Sequence, residues 1–480
     1  MVLSLLCSCR TGPNYEPPTV SMPDQYDAAD RPQASAPDGA WWETFDDPVL
    51  SRCIEEAQTA NHDVRMALQR VRSARALRRV ESSRFLPNID AGAAYTVDRM
   101  SENNARFRDA VQAGVFPTEV DNWTVGFDVS WELDVFGGNR RRLEASVARL
   151  KEEEFRSRAL QLSITAEVAR NYIEIRGHQQ RFEMLQEQIR NESDRIEILH
   201  RKQTSGLIPA SEILKIESRL QQLRALTPPL EAEIRAGTYR LAVLLGRRPE
   251  SSIQGLETLG PLPKATGRVP VGLPSDLLRR RPDLMAAERS LAAATADIGV
   301  ATAEFLPRFF LTGSPSLQSG DFSSLFNGAS AAWTLGPSVS WKLFSAGRNR
   351  ALLKAARARK EQVFIGYEAT VNRALEEVES SLIRYGNDAR ALQFLVDSTS
   401  AQERAVEIQR LRLASGIVGQ LDVIESVGTW IEARRRQIDQ EVLLLTRLVN
   451  LYKVLGGGWE KGEAVALGSR SVEQDRNSAF

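Results

Sequence analysis

Three histidines, a triple arginine, a triple glycine and a few paired carboxylates are the groups of this chain that invite chemistry, yet their spacing does not supply it. His62, His178 and His200 stand apart, with no cysteine or carboxylate at metal-ligand spacing, so neither a zinc site nor a nucleophilic centre is expected. Gly456-Gly457-Gly458 follows a helical run and lacks the Lys-Ser/Thr of a phosphate loop, which makes it a helix terminator. Arg279-Arg280-Arg281 is basic enough for a nucleic-acid patch, but the Pro282-Asp283 that follows suits the first turn of a helix. The whole chain balances 62 basic against 62 acidic residues, so no nucleic-acid partner is indicated. Glu376-Glu377 reads as a solvated helix face without an apolar pocket. No cofactor and no enzymatic activity are expected. The covalent chemistry that the residues do suggest is at the start, where Leu6-Cys7-Ser8-Cys9 has the form of a lipobox. Cys9 would be lipidated and become the mature first residue, with residues 1–8 a shortened signal peptide; the alternative is a disordered start. Residues 9–45 then form a surface tether, and Cys53 is a small buried apolar residue.

The elements that would carry such an anchor are written twice. Trp131, Leu133, Gly137, Asn139 and Arg140 recur as Trp341, Leu343, Gly347, Asn349 and Arg350, at an offset of 210 residues. Ser205-Gly206 and Leu241 to Gly246 recur at the same offset, as Ser415-Gly416 and Leu451 to Gly456. Asp63, Ala67, Ala74 and Phe85-Leu86-Pro87 recur at an offset of 220, as Asp283, Ala287, Ala294 and Phe305-Leu306-Pro307. A repeat this long is a duplicated structural unit. It divides the chain into repeat 1 over 46–265, repeat 2 over 266–458 and a tail over 459–480.

Each copy contains a strand with one oily face. From Trp123 to Val135 every odd residue is apolar and every even one is polar or glycine, and Trp333 to Leu343 alternates in the same way. The expected partners are Ile89 to Val97, and Phe309, Leu311 and Leu317, giving a hairpin near 88–135 and another near 308–344. Each run matches the ~9 to 11 tilted residues that cross a bilayer, with tryptophans at the ends and charges on the other face. Four strands per chain cannot close a barrel, and an open edge in lipid strands backbone groups without partners, so closure requires several copies. A half-buried strand of a soluble sandwich is the alternative source of such alternation.

The helices are too long for a single globular core. From about Arg140 to Thr204 the helical pattern runs without proline, roughly 100 Å at ~1.5 Å per residue. Val168, Ile175, Phe182, Ile189 and Ile196 fall on every seventh position, and Val371, Val378, Tyr385, Leu392, Val406 and Leu413 continue one register in the second copy. Ser205-Gly206 and Ser415-Gly416 end these helices as glycine caps, and one further helix returns to Gly246 or Gly456. Gly137 and Asn139, with Gly347 and Asn349, mark the strand-to-helix crossover, where unusual dihedrals are required. A lipid-anchored structural coiled coil would explain the helices but leaves the two hairpins without a purpose.

The chain resembles the outer membrane factor family, the exit ducts of tripartite efflux pumps, and in particular its NodT-like lipoprotein branch. The similarity spans Cys9 to Trp459. It rests on Cys9 with Gly12-Pro13-Asn14-Tyr15, on Trp41-Trp42 with Phe45-Asp46-Asp47-Pro48 and Leu50, on Arg281-Pro282-Asp283 with Ala287-Glu288, and on Phe305-Leu306-Pro307. The resemblance implies a mixed α/β membrane protein: a homotrimer with a twelve-stranded β-barrel in the outer membrane, continuing into a twelve-helix periplasmic α-barrel. Its implied partners are a periplasmic adaptor, an inner-membrane transporter and outer-membrane lipid, and its implied cargo is small drug-like solutes; a protein or polysaccharide export duct is the alternative. The family's constriction maps onto Leu421, Asp422, Ile424 and Glu425, where two carboxylates three residues apart share a helix side.

Overall fold

The computed structural model describes residues 10–27, 40–101, 109, 113–115, 117–265, 272 and 274–457. The chain forms two compact units, one made of Met1–Pro18, Arg72–Glu152 and Ala287–Tyr367, the other of Thr19–Val71, Glu153–Ala286 and Glu368–Phe480. Cys7 and Cys9 of the lipobox lie outside the described residues.

The first unit is built on an antiparallel sheet. β1 (Asn88–Arg99) pairs along its whole length with β2 (Glu119–Leu133), from Asn88 opposite Ser130 to Arg99 opposite Glu119. The other edge of β2 meets β3 (Arg308–Gly313) and β4 (Ser316–Ser319), and beyond these lie β5 (Ala331–Ala332) and β6 (Leu335–Ser340). β3 and β4 are one strand path broken at Ser314-Pro315, and β5 and β6 another, so the chain contributes four strand paths, as the hydropathy alternation predicts. The second hairpin is shorter than expected. Pro315 has no N–H to give the ladder, and Trp341 and Leu343 fall beyond the last paired residue, Ser340. Among the described residues β1 is paired only to β2, and β5 and β6 only to β4 and β3, so both edges of the sheet are open there.

The sheet's apolar side is bare. Ile89, Val97, Phe127, Leu335 and Val339 are each more than half exposed, whereas Asp90, Asp98, Asn122, Asp128 and Ser338 occupy the opposite face. A water-soluble sheet would cover that apolar side with a second layer.

Long helices follow each hairpin. α1 (Pro48–Ala60) and α2 (His62–Ser83) precede β1; α3 (Gly138–Thr204) and α8 (Arg348–Ala414) are each 67 residues long and free of proline. Gly206 and Gly416 stop them with φ of 71° and 69°. The next amide reaches back five residues, Leu207 N–H to the Lys202 carbonyl at 3.0 Å and Ile417 N–H to that of Arg412 at 2.9 Å. The return differs between the copies. α9 (Gln420–Val454) is one helix, whereas the first repeat returns as α4 (Ala210–Ala225) and α5 (Thr227–Leu244), because Pro228-Pro229 tolerates only a helix start. α6 (Leu277–Arg280) and α7 (Pro282–Ala303) complete the second repeat before β3.

The second unit holds the main core, in which Trp41, Trp42, Phe45, Leu50, Ile54, Val168, Tyr172, Ile175, Leu241 and Tyr452 are buried together. Trp41 stacks on Tyr452 at 5.2 Å. Part of the stretch expected as a tether is therefore core: a 3-10 turn over Trp41–Phe45 is driven inward by its three aromatic side chains, and Tyr26 is only 3% exposed. Cys53 is buried as expected, which pushes its thiol up to about 11. The heptad positions are fully buried at Val168, Ile175, Val371 and Val378, and only partly so at Ile196 and Leu413 near the far turns.

Candidate functional site

The residues expected from the sequence fall at two places in the fold: the crossovers that join sheet to helix, and the turn that opens α9. At the first crossover Gly137 sits at φ 77°, in the left-handed region that glycine alone enters without strain, and Gly347 repeats this at φ 85°. The asparagines act differently from expectation. Neither Asn139 nor Asn349 has a positive φ; each lies in the first turn of its helix and is almost fully buried. Asn139 Oδ1 accepts from Arg142 Nη1 at 2.9 Å, and Asn349 Nδ2 donates to the Glu304 carbonyl at 2.8 Å. Asn349 thus ties α8 to the segment that follows α7, whereas the partner of Asn139 lies in its own helix, and Asn139 Nδ2 and Asn349 Oδ1 are buried without a hydrogen-bond partner among the described residues.

Asp134, which the repeat pattern did not single out, organises the first crossover. Its carboxylate accepts the backbone N–H groups of Asn139 at 3.0 Å and Arg140 at 2.9 Å, and it pairs with the Arg140 side chain at 3.1 Å. This is a cap on the positive end of α3. In the second crossover Phe344 stands at the equivalent position and Ser345 Oγ accepts from Asn349 N–H instead, so the two copies solve the same turn with different side chains. Trp131 Nε1 donates to the Phe85 carbonyl and Trp341 Nε1 to that of Phe305, both at 3.0 Å, closing each hairpin onto its preceding helix in duplicate. Arg141, 1% exposed, was likewise missed: it donates to the carbonyls of Thr11 at 2.8 Å and Gly12 at 3.2 Å and to Asn14 Oδ1 at 2.8 Å. The Gly12-Pro13-Asn14 motif is thus held against the start of α3, just behind the expected lipidation point. A signal for this existed in the motif but its partner lay some 130 residues away.

At the far turn, Leu421, Asp422, Ile424 and Glu425 share the first turns of α9, the two apolar residues half-buried and the two carboxylates exposed. Asp422 Oδ2 accepts the Gly419 backbone N–H at 2.7 Å, so one of the carboxylates also holds the helix start. The Ile424 carbonyl accepts from Asn191 Nδ2 of α3 at 3.1 Å, tying this turn to the other repeat's helix. Near it, the buried Glu192 of α3 meets Arg219 of α4 at 3.0 Å, and Arg219 reaches Glu432 of α9 at 3.4 Å.

Arg281 proves to be a joint. Its Nη1 donates to the Val454 carbonyl at 3.2 Å, its guanidinium pairs with Asp283 at 2.7 Å and with Glu377 at 2.8 Å, and Pro282-Asp283 opens α7. The reading of Glu377 as a merely solvated carboxylate is therefore corrected. Burial alone would raise the Asp283 carboxyl, but the hydrogen bonds and charge of Arg281 outweigh it and its pKa is lowered. In the first repeat Asn61 Nδ2 donates to the Leu244 carbonyl at 2.8 Å, at the position equivalent to Val454. Among the described residues no group of histidine, cysteine or carboxylate side chains could hold a metal ion.

Residues 53–247 and 273–457 match the family described as outer membrane efflux protein. The chain belongs to that family. The outer membrane protein OprJ of Pseudomonas aeruginosa is 28% identical over 98% of both chains. The cation efflux system protein CusC of Escherichia coli is 29% identical over 95% of this chain and 97% of its own. The solved structure of the outer-membrane channel OprN superposes with a TM-score of 0.84 at 33% identity, covering 94% of this chain and all of that one. This efflux protein is an outer-membrane channel that serves as the exit duct of an efflux pump.

Proposed function

We propose that three copies of this chain close their sheets edge to edge into one barrel and pass small organic solutes outward, the energy being supplied by an inner-membrane transporter that is coupled through a periplasmic adaptor. The observation that carries this reading is the sheet with two open edges and an exposed apolar side: in a bilayer each edge needs a partner, and a copy of the same sheet is the one available in fixed stoichiometry. Cys9 carries the acyl anchor, a reading supported by the seating of Thr11, Gly12 and Asn14 on Arg141 immediately after it.

The turn at Gly419 to Glu425 is the narrow periplasmic end. Three copies of Asp422 and Glu425 would make a ring of acidic groups over half-buried Leu421 and Ile424, attracting cations and restricting passage. The test is single-channel recording in planar bilayers. Replacing Asp422 and Glu425 by Ala raises conductance and weakens block by a trivalent cation; a double variant with unchanged conductance and unchanged block would remove the acidic ring from the aperture. Asn serves better than Ala at 422 if the helix start must be kept, since it can still cap the Gly419 N–H.

A further inference from the structure

The helix ends next to the sheet follow one another in a fixed order. Trp131, at the end of β2 that leads into α3, bonds the Phe85 carbonyl just beyond α2; Arg142 of α3 pairs at 3.1 Å with Glu304 just beyond α7; and Asn349 of α8 bonds the carbonyl of the same Glu304. The order is therefore α2, α3, α7, α8. When identical copies close their sheets edge to edge, α8 of one copy comes beside α2 of the next. By the repeat, that junction is equivalent to the one between α3 and α7 inside each chain. The in-chain junction and its crossover are balanced in charge: Arg140 pairs with Asp134, Arg141 with Glu144, Arg142 with Glu304 and Arg149 with Asp297. At the offsets of 210 and 220 residues the carboxylates Asp134, Glu144, Asp297 and Glu304 become Phe344, Lys354, Leu77 and Arg84, while the cations Arg140 and Arg149 persist as Arg350 and Arg359. The junction between copies thus keeps cations of the set, gains two and has lost its carboxylates.

Local partners neutralise little of this. Arg84 has Glu81 at 2.8 Å and Arg359 has the Gln362 amide oxygen at 2.8 Å. Among the described residues no carboxylate pairs with Arg350 or Lys354, and both are exposed. Like charges brought together repel, so an anion from outside the chain stabilises the junction. Its position says which anion. Arg84 stands just before β1 and Arg350 just after β6, and all four strand paths join their helices at this one end of the sheet. In an outer-membrane channel with periplasmic helices, that end is level with the headgroups of the periplasmic leaflet, whichever strand the height is counted along. Leu343 and Phe344, the latter 88% exposed, lie between β6 and Arg350, so apolar side chains adjoin the cations, as suits a headgroup with its upper acyl carbons. We propose that each junction between copies binds the phosphate of one anionic phospholipid from the periplasmic leaflet, held by Arg350 and Lys354 of one copy and Arg84 of the next. A guanidinium suits phosphate because it can donate two parallel hydrogen bonds. The proposal rests on the edge-to-edge closure put forward above.

The test is the rate at which the particle, heated in phosphatidylcholine vesicles with or without phosphatidylglycerol, falls into single chains, counted by native mass spectrometry. Arg84→Glu/Lys354→Glu is the variant that restores carboxylates of the in-chain junction. Wild type should dissociate on the order of tenfold more slowly with phosphatidylglycerol present. The variant should be as slow without phosphatidylglycerol as wild type is with it, and indifferent to its addition. Wild type that dissociates equally fast in both lipids overturns the proposal, and so does a variant that still responds to phosphatidylglycerol. Should that variant fail to insert, Arg350→Gln/Lys354→Gln takes its place: the effect of phosphatidylglycerol should vanish, and its persistence at wild-type size overturns the assignment. A protein that is a single chain in every vesicle would contradict the closure itself, a result distinct from a stable particle blind to lipid charge.

Discussion

Removing Arg281 should reveal how much the second repeat depends on one buried cation. In Arg281→Met the guanidinium, 10% exposed, is lost from between Asp283, Glu377 and the Val454 carbonyl. Breaking a fully buried pair costs ~3–5 kcal/mol, but the Asp283 and Glu377 side chains are 40% and 37% exposed and regain water, so about half of that is expected for the charges. The orphaned carbonyl adds ~1 kcal/mol, for a total of about 3 kcal/mol. The equivalent change in the first repeat, Asn61→Ala, loses the bond to Leu244 and the cap on Asp63 and Val64, about 2 kcal/mol in all. The two differ in pH dependence. The folded-state pKa of Asp283 lies below its unfolded value. Its contribution is therefore complete above an unfolded pKa of ~3.9 and is lost as pH falls through the folded one. Urea unfolding of the detergent-solubilised protein, followed by helical circular dichroism between pH 7 and pH 3, should show the Arg281→Met deficit shrinking below about pH 4 while the Asn61→Ala deficit stays level. A deficit for Arg281→Met below about 0.5 kcal/mol at pH 7, or one that does not change with pH, would refute the reasoning.

Further consequences concern glycine, cysteine and the pore. A Cβ at Gly246 would lie 2.3 Å from the Ala60 carbonyl oxygen, whereas at Gly347 nothing stands within 4 Å. Both have positive φ, so Gly347→Ala should cost only the ~1–2 kcal/mol of the left-handed backbone and Gly246→Ala clearly more, as read from urea midpoints. Cys53, 4% exposed and with its thiol pushed up to about 11, should resist maleimide at pH 8 in the folded protein and react within minutes in urea; rapid labelling of the native form would contradict its burial. Asp422→Ala/Glu425→Ala should raise single-channel conductance, as set out for the aperture.

Much of this architecture was legible because its signals are periodic and local. Strict alternation from Trp123 to Leu133 is the strand, and the unbroken heptads through Val168 and Ile175 are the long helix. Gly137, Gly206, Gly347 and Gly416 take positive φ where the chain must turn. What escaped the sequence depends on partners far apart along the chain. Arg141 reaches Thr11 and Asn14, and Arg281 reaches Glu377 and Val454, contacts that no period encodes. Trp41, Trp42 and Phe45 sit in a polar, proline-rich stretch that reads as a tether, but their apolar area against Tyr172 and Tyr452 outweighs that setting. The breaks at Pro315 and at Pro228-Pro229 are local, and their effect follows from a missing N–H. The acidic turn was singled out through the family resemblance alone, and the capping role of Asp422 came only with the structure.

The central claim is that several copies must join to close this sheet, and the mass of the detergent-solubilised particle, measured together with its conductance in a planar bilayer, tests it most directly. Three chains per particle, with discrete ion-conducting steps, is the predicted result. A stable single chain that conducts nothing would contradict it.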